Sequence, residues 1–315
     1  MVFTYDISNV NPIKYLHMKR SYLVLFTTLA FVLSSCKDNE VFEKEMYKNE
    51  VALISSDYHN TFREVVSLTG DEVVGYIAAS AGGTHTPTKD LVISIEEDPT
   101  PLERYNWSLY DASTELYAKL LPSSKYEIMD DKILIKAGEL TGRTMIKLKP
   151  DGLSPDSSYF IGLKATGQSG VEINPKKSTM LYQVIIENEY ASQAKNSVYS
   201  MVGYADGLLT AANKQLFPLT KNSVRMVAGS ETYVSKEANI KQNSLILEID
   251  DSNNVTIKPY GTIEVIQLDN DPAYPNKFKI EEAFGMRTRV FLLSYQYKIG
   301  NQTVVVKERV EKLVN

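Results

Sequence analysis

From residue 50 to its end the chain is written in short runs of β-branched and aromatic residues, each closed by turn formers. That punctuation constrains the fold more than any other feature. Val51-Ala52-Leu53-Ile54, Glu64-Val65-Val66-Ser67-Leu68 and Val73-Val74-Gly75-Tyr76-Ile77-Ala78 have the length and composition of strands rather than helices. Leu91–Glu96, Lys125–Ile128, Lys132–Ile135, Met145–Leu148, Tyr159–Leu163 and Leu181–Ile186 continue the series. Seven or eight short strands in about 140 residues is the pattern of an all-β sandwich. Pro99 and Pro101 are expected to break the chain, and Leu109–Leu121 has weak helical spacing, with Leu109, Ala112, Leu116 and Leu120 on one side.

The polar stretch from Glu187 to Lys195 interrupts the strand-rich regions and marks a boundary, giving a sandwich domain over 50–187 and a second domain over 196–315. In the second domain, strands come as consecutive hairpins. Leu245–Ile249 pairs by proximity with Val255–Lys258, Ile263–Gln267 with Lys277–Ile280, and Val290–Tyr297 with Thr303–Val310. An antiparallel meander of this kind must close or be covered to hide its edges, so a small β-barrel or strongly curled sheet is expected.

Upstream, Lys19 and Arg20 precede an apolar run, Tyr22–Val32, and Leu33-Ser34-Ser35-Cys36 closes it. This is the layout of a secretory signal, too short to span a bilayer. Leu-Ser-Ser-Cys resembles a bacterial lipobox, whose cysteine is lipidated after cleavage. Cys36 is the single cysteine of the chain and has no disulfide partner within it. Residues 1–35 are therefore read as an upstream extension (before Met18) plus signal peptide, and 36–49 as the lipidated cysteine and its tether. Lys37-Asp38-Asn39-Glu40 resembles, with Asn39 in place of a second acid, a signal for display on the surface of the outer membrane. The formal charge of −5 gives no basis for nucleic-acid binding, which needs clustered cations against phosphate.

Motifs for chemistry are sparse. His59 and His85 lie in different segments without a second ligand at i+2 or i+4, so no metal and no cofactor is expected. No nucleophile elbow, zinc-protease motif or glycine-rich phosphate loop occurs. Glu96 and Glu97, adjacent at a strand end, point to opposite faces and do not make the paired carboxylates of a glycosidase. The Asp/Asn-rich loops Asp250–Asn254 and Asp269–Asp271 read as hairpin turns rather than calcium loops. No catalytic residue is assigned, and the chain is expected not to be an enzyme. The remaining signal is aromatic: Tyr105, Trp107 and Tyr110 in a loop-like segment, with Arg104 and Asn106 beside them, are the glycan-binding candidates. If that segment is extended, Tyr105 and Trp107 share a face; the competing reading is packing in the core or between domains. A second set, Tyr260, Tyr274, Tyr295 and Tyr297, lies on or beside the meander, where barrel mouth and barrel core are the alternatives.

Tyr105-Asn106, Leu120–Ile128 and Ile135-Lys136-Ala137-Gly138 resemble the family called domain of unknown function 1735. Tyr199 with Gly203, Gln215–Thr220, Asn222–Met226 and Val255–Tyr260 resemble its frequent companion, domain of unknown function 4361. The resemblance implies an N-terminal immunoglobulin-like β-sandwich followed by a C-terminal antiparallel calycin-like β-barrel. It also implies an outer-membrane lipoprotein of glycan-foraging Gram-negative bacteria, in a polysaccharide-utilisation system with a TonB-dependent importer. The expected partners are thus the membrane, through the lipid anchor, and a glycan or an importer subunit. The alternative is a structural or adhesin-like lipoprotein that binds a protein.

Overall fold

The computed structural model describes residues 49–167, 171–194 and 197–314. The extension and signal expected over 1–35, and the lipidation expected at Cys36, lie outside the described residues. Residues Glu50–Ala81 and Thr86–Asn315 form one compact unit that contains both β regions.

Alternation builds the first of them. Ile133 and Ile135 are buried while Lys132 and Leu134 face out; Thr144, Ile146 and Leu148 are buried while Met145 faces out. Ten strands result: β1 (Val51–Leu53), β2 (Thr61–Ser67), β3 (Val73–Ala81), β4 (Leu91–Glu97), β5 (Lys119–Leu120), β6 (Tyr126–Ile128), β7 (Lys132–Ile135), β8 (Thr141–Leu148), β9 (Tyr159–Gly167) and β10 (Thr179–Glu187). One sheet has the order β1-β3-β8-β6 and the other β2-β10-β9-β4-β7, with β5 added beside β9. Ile77, Ile93, Ile133, Ile135, Ile146 and Tyr182 fill the space between them. Gly138, at φ +84°, takes the left-handed turn that a side chain would disfavour.

A helix, α1 (Thr100–Tyr110), lies on this sandwich where the sequence reading has a chain break and a loop. Pro99 and Pro101 begin the helix instead of breaking it. In a first turn the backbone N–H groups have no intrahelical partner, so prolines remove nothing. Asp98 Oδ1 accepts the Thr100 amide at 3.0 Å. The helical spacing expected over Leu109–Leu121 is absent, because the chain turns at Asp111 (φ 49°) and keeps only one 3₁₀ turn, Thr114–Leu116. Where α1 begins, the backbone crosses close over β9. A Cβ on Gly162 would stand 2.0 Å from the Asp98 carbonyl oxygen. Gly162→Ala is therefore expected to lose about 1–3 kcal/mol of stability in a thermal melt, the usual cost of overpacking.

The second region carries β11 (Val198–Ala205), β12 (Leu208–Gln215), β13 (Phe217–Thr220), β14 (Ser223–Val227), a short helix α2 (Glu237–Asn243), β15 (Ser244–Ile249), β16 (Val255–Pro259), β17 (Val265–Gln267), β18 (Lys277–Ala283), β19 (Met286–Ile299) and β20 (Gln302–Val314). The antiparallel meander is divided between two sheets, β12-β11-β20-β19-β17 with β18 also on β19, and β13-β14-β15-β16. They enclose one core, including Met226, Leu245, Leu247, Phe291 and Tyr295. Two expected hairpins are present, β15–β16 and β19–β20. The third is not: β17 and β18 do not pair with each other but follow one another along β19. Buried Asn276 holds that junction, donating to the Leu268 carbonyl and accepting the Ser294 amide, both at 2.8 Å. Among the described residues no helix is long and apolar enough to cross a membrane.

Candidate functional site

The turn between Ser56 and Thr61 is the most constrained element near α1. Its ends exchange backbone hydrogen bonds of 2.7 and 2.9 Å. Asp57 (φ 58°) and Asn60 (φ 55°) both adopt the left-handed conformation, which short polar side chains tolerate best. The Asp57 carboxylate accepts the His59 amide at 2.9 Å, the Thr61 amide at 3.3 Å and the Thr61 hydroxyl. Burial pushes this carboxyl up, but the hydrogen bonds from Thr61 and His59 outweigh it and hold the pKa below the ordinary carboxylate value. Asn60 ties the turn to a distant loop by donating to the Lys176 carbonyl at 2.8 Å. Between these fixed residues Tyr58 projects with 91 % of its surface exposed.

Helix α1 forms one wall of the groove beside this turn. Pro101, Arg104 and Ser108 line it, at the i, i+3, i+7 spacing of one helical face. The Ser108 hydroxyl donates to the Tyr105 carbonyl at 2.9 Å and lies 3.5 Å from His59 Nε2. The His59 ring meets Tyr58 and Tyr105 edge-on at 5.0 and 5.1 Å. The far wall is the loop 174–179, shaped by Asn174 Oδ1 accepting the Lys176 amide and by Ser178 donating to the Pro175 carbonyl. The groove is open to solvent and has a volume of about 630 Å³. An exposed aromatic plane among hydroxyl, amide and cationic donors is suited to a polar, ring-shaped ligand.

The helix rearranges the three candidate aromatics. Tyr105 and Trp107 are about 200° apart around it rather than on one face, because each helical residue turns the direction by 100°. Tyr105 turns inward, half-buried against Phe160 at 5.1 Å. Trp107 is 63 % exposed, sits roughly 60° around the helix from Arg104 and lies outside the groove lining. Tyr110 faces Tyr117 at 6.4 Å, beyond the groove lining. Asn106 is buried and serves structure, bonding both backbone groups of Ala118 at 2.9 and 2.8 Å. Tyr58, His59 and Lys176 carry no role in the sequence reading. The available signal is the pair of rings enclosed by Asp57 and Asn60.

The other sequence candidates resolve into structure. Glu96 faces its cross-strand neighbour Lys164 on β9 at 3.5 Å, whereas Glu97 meets the Tyr126 hydroxyl of the opposite sheet, so the two acids do point apart. Burial, with Glu97 beside it, raises the Tyr126 pKa. Asp250 accepts the amides of Ser252 and Asn254 and the Asn254 side chain, as a turn residue. Tyr295 and Tyr297 are buried in the core of the second region, and Tyr260 stacks on Arg225.

Two family models match the sequence, one described as an N-terminal domain over residues 43–172 and one as a C-terminal domain over 178–311. The division between them falls just before β10, a strand that pairs within the sandwich. No curated protein matches. Solved structures are similar along most of the chain. A protein of unknown function from Bacteroides ovatus is 15 % identical, with a TM-score of 0.59, covering 87 % of this chain and 93 % of its own. A multidomain protein from Bacteroides ovatus that includes domain of unknown function 1735 is 15 % identical, with a TM-score of 0.56 and coverage of 84 and 94 %. An auxiliary nutrient binding protein from Bacteroides thetaiotaomicron VPI-5482 is 12 % identical, with a TM-score of 0.56 and coverage of 82 and 93 %. At these identities the likeness is one of fold.

Proposed function

We propose that this protein is a non-catalytic, lipid-anchored protein of the bacterial outer membrane that binds glycan at the cell surface for a TonB-dependent import system. Its second region would then be the companion domain of unknown function 4361. The observation that carries the reading is the groove beside α1, where a rigid turn presents Tyr58 to solvent among Asn60, Arg104 and Ser108. Sugar rings stack their C–H faces on exposed aromatic planes, and their hydroxyls bond to amide and guanidinium groups of this kind. Trp107, exposed on the same helix outside the groove lining, offers a second aromatic plane. The likeness in fold to a nutrient-binding protein agrees with it, as does the resemblance of Leu33-Ser34-Ser35-Cys36 to a lipobox.

Calorimetric titration against a panel of soluble polysaccharides tests the reading. Saturable binding is expected, weakened about tenfold by Tyr58→Ala, a loss of about 1.4 kcal/mol, and less by Trp107→Ala. Silence across the panel would sink glycan capture. Binding that survives both substitutions would move the site off this groove.

A second reading has its own observation. The hairpin β11–β12 turns at Asp206-Gly207 and exposes Val202, Tyr204, Leu208 and Leu209, and β12 is the end strand of its sheet. An apolar edge of this kind fits pairing with a protein partner, such as an importer subunit.

A further inference from the structure

The groove differs in charge from the chain that carries it. The whole protein has a formal charge of −5, yet the charged side chains of the groove lining are Arg104, Lys176 and Lys177 against Asp57 alone. The Asp57 carboxylate is turned into its own turn, where Thr61 and the His59 amide occupy it. Lys177 is held toward Ser55, within 3.4 Å of its carbonyl and hydroxyl oxygens. Arg104 and Lys176 stand on opposite walls, one on α1 and one on the loop that Asn60 fixes in place. Arg63 adds a further positive charge near Tyr105 from β2.

We propose that the groove selects acidic glycans, with Arg104 and Lys176 receiving the carboxylate of a uronic acid whose ring lies on Tyr58. The proposal rests on the glycan-binding reading and names its substrate class. A guanidinium matches a carboxylate with two parallel N–H donors, and an ammonium on the facing wall adds a point charge without fixed geometry. Asp98, outside the groove lining, interacts with the Arg104 charge from the start of α1, but a neutral sugar brings no carboxylate into the groove itself, so charge gives the discrimination while the aromatic plane gives the stacking.

The test compares polygalacturonate with its methyl ester, which keeps the backbone and removes the charge, together with alginate and neutral dextran and galactan, by calorimetry on the purified protein. The expected result is binding to polygalacturonate or alginate that is lost on esterification and weakens as salt rises. Arg104→Gln and Lys176→Gln should each weaken it about tenfold or more, while Arg104→Lys restores part of the loss. Both positions are at the surface, and an unchanged melting temperature for each variant separates lost binding from lost fold. Binding of a neutral glycan in preference to the acidic ones would overturn this proposal and leave glycan capture standing. Acidic-glycan binding that ignores both substitutions would overturn the site. No binding to any probe would overturn both readings together.

Discussion

Replacing Glu308 with glutamine is expected to destabilise the second region by about 3–5 kcal/mol, the range for breaking a buried ion pair from one side. Lys214 is 1 % exposed and Glu308 0 %, with Nζ 2.6 Å from Oε2. Lys214 also donates to the Val227 carbonyl at 3.2 Å, and Tyr295 donates to Glu308 at 2.9 Å while accepting the Gly229 amide at 2.7 Å. Burial lowers the Lys214 pKa and Glu308 opposes that shift; burial and Glu308 together raise the Tyr295 hydroxyl well above its ordinary value. Glutamine keeps the shape of the side chain and an acceptor for Tyr295, so the loss reports the missing charge. Without its counterion Lys214 is depressed further, while in the unfolded chain it holds a proton up to the ordinary lysine value. The unfolded state then binds more protons across that window, and the variant regains stability as pH rises through it. Lys214→Met combined with Glu308→Leu is expected to lose less than either change alone, because the desolvation of the pair disappears with its attraction. Urea unfolding at neutral and mildly alkaline pH checks all three. A Glu308→Gln loss within about 0.5 kcal/mol, the scale of an ordinary surface change, would show that the pair does not hold this core.

That pair also explains which parts of the fold are legible in the sequence. Lys132–Ile135 is placed to the residue because one apolar face alternates cleanly with one polar face. No strand is placed between residues 198 and 227, yet four are present. In β11 Tyr199 and Met201 are inward as usual, but the inward positions of β11 and β12 also include Gly203 and Lys214 and the outward ones Val202 and Leu209, which blurs the alternation. The Asp206-Gly207 turn between them, both residues at positive φ, is the short-range signal that would have found the hairpin. β14 is buried at every position although it contains Arg225, and only its partners explain how. The candidate site divides similarly. Prolines hide α1, since the same residues break a helix interior and begin a helix. Asp57 and Asn60 are readable as turn formers, but the loop that closes the groove comes from 116 residues away, beyond any local pattern.

Asp156→Ala is expected to cost about 3 kcal/mol or more, and its cost should not recover with pH. Asp156 follows β8 in the sandwich region, and its carboxylate meets both terminal nitrogens of Arg225 in β14, with Nη2 at 2.6 Å from Oδ1. The guanidinium is fully buried, with its Cζ 4.4 Å from the centre of the Phe217 ring and 4.9 Å from that of Tyr260. Burial works against this charge, and Asp156 outweighs it, holding the arginine above its ordinary pKa. Lys214 can shed its proton when its partner is removed; arginine cannot, so an unpaired Arg225 must remain charged among aromatic rings or leave its place. Leaving would loosen the junction of the two regions, where Asn188 donates to the Thr220 and Ser223 carbonyls and Gln193 to that of Pro155. Those neutral hydrogen bonds are each worth only about 1 kcal/mol net. They do not replace a bidentate charged pair, so the two cores are expected to stop unfolding together. Scanning calorimetry should show one transition in the parent protein and two in Asp156→Ala, while Arg225→Lys, which keeps the charge but not the fork, behaves like the alanine variant. A single transition at the parent temperature in both variants would mean that apolar packing alone joins the regions.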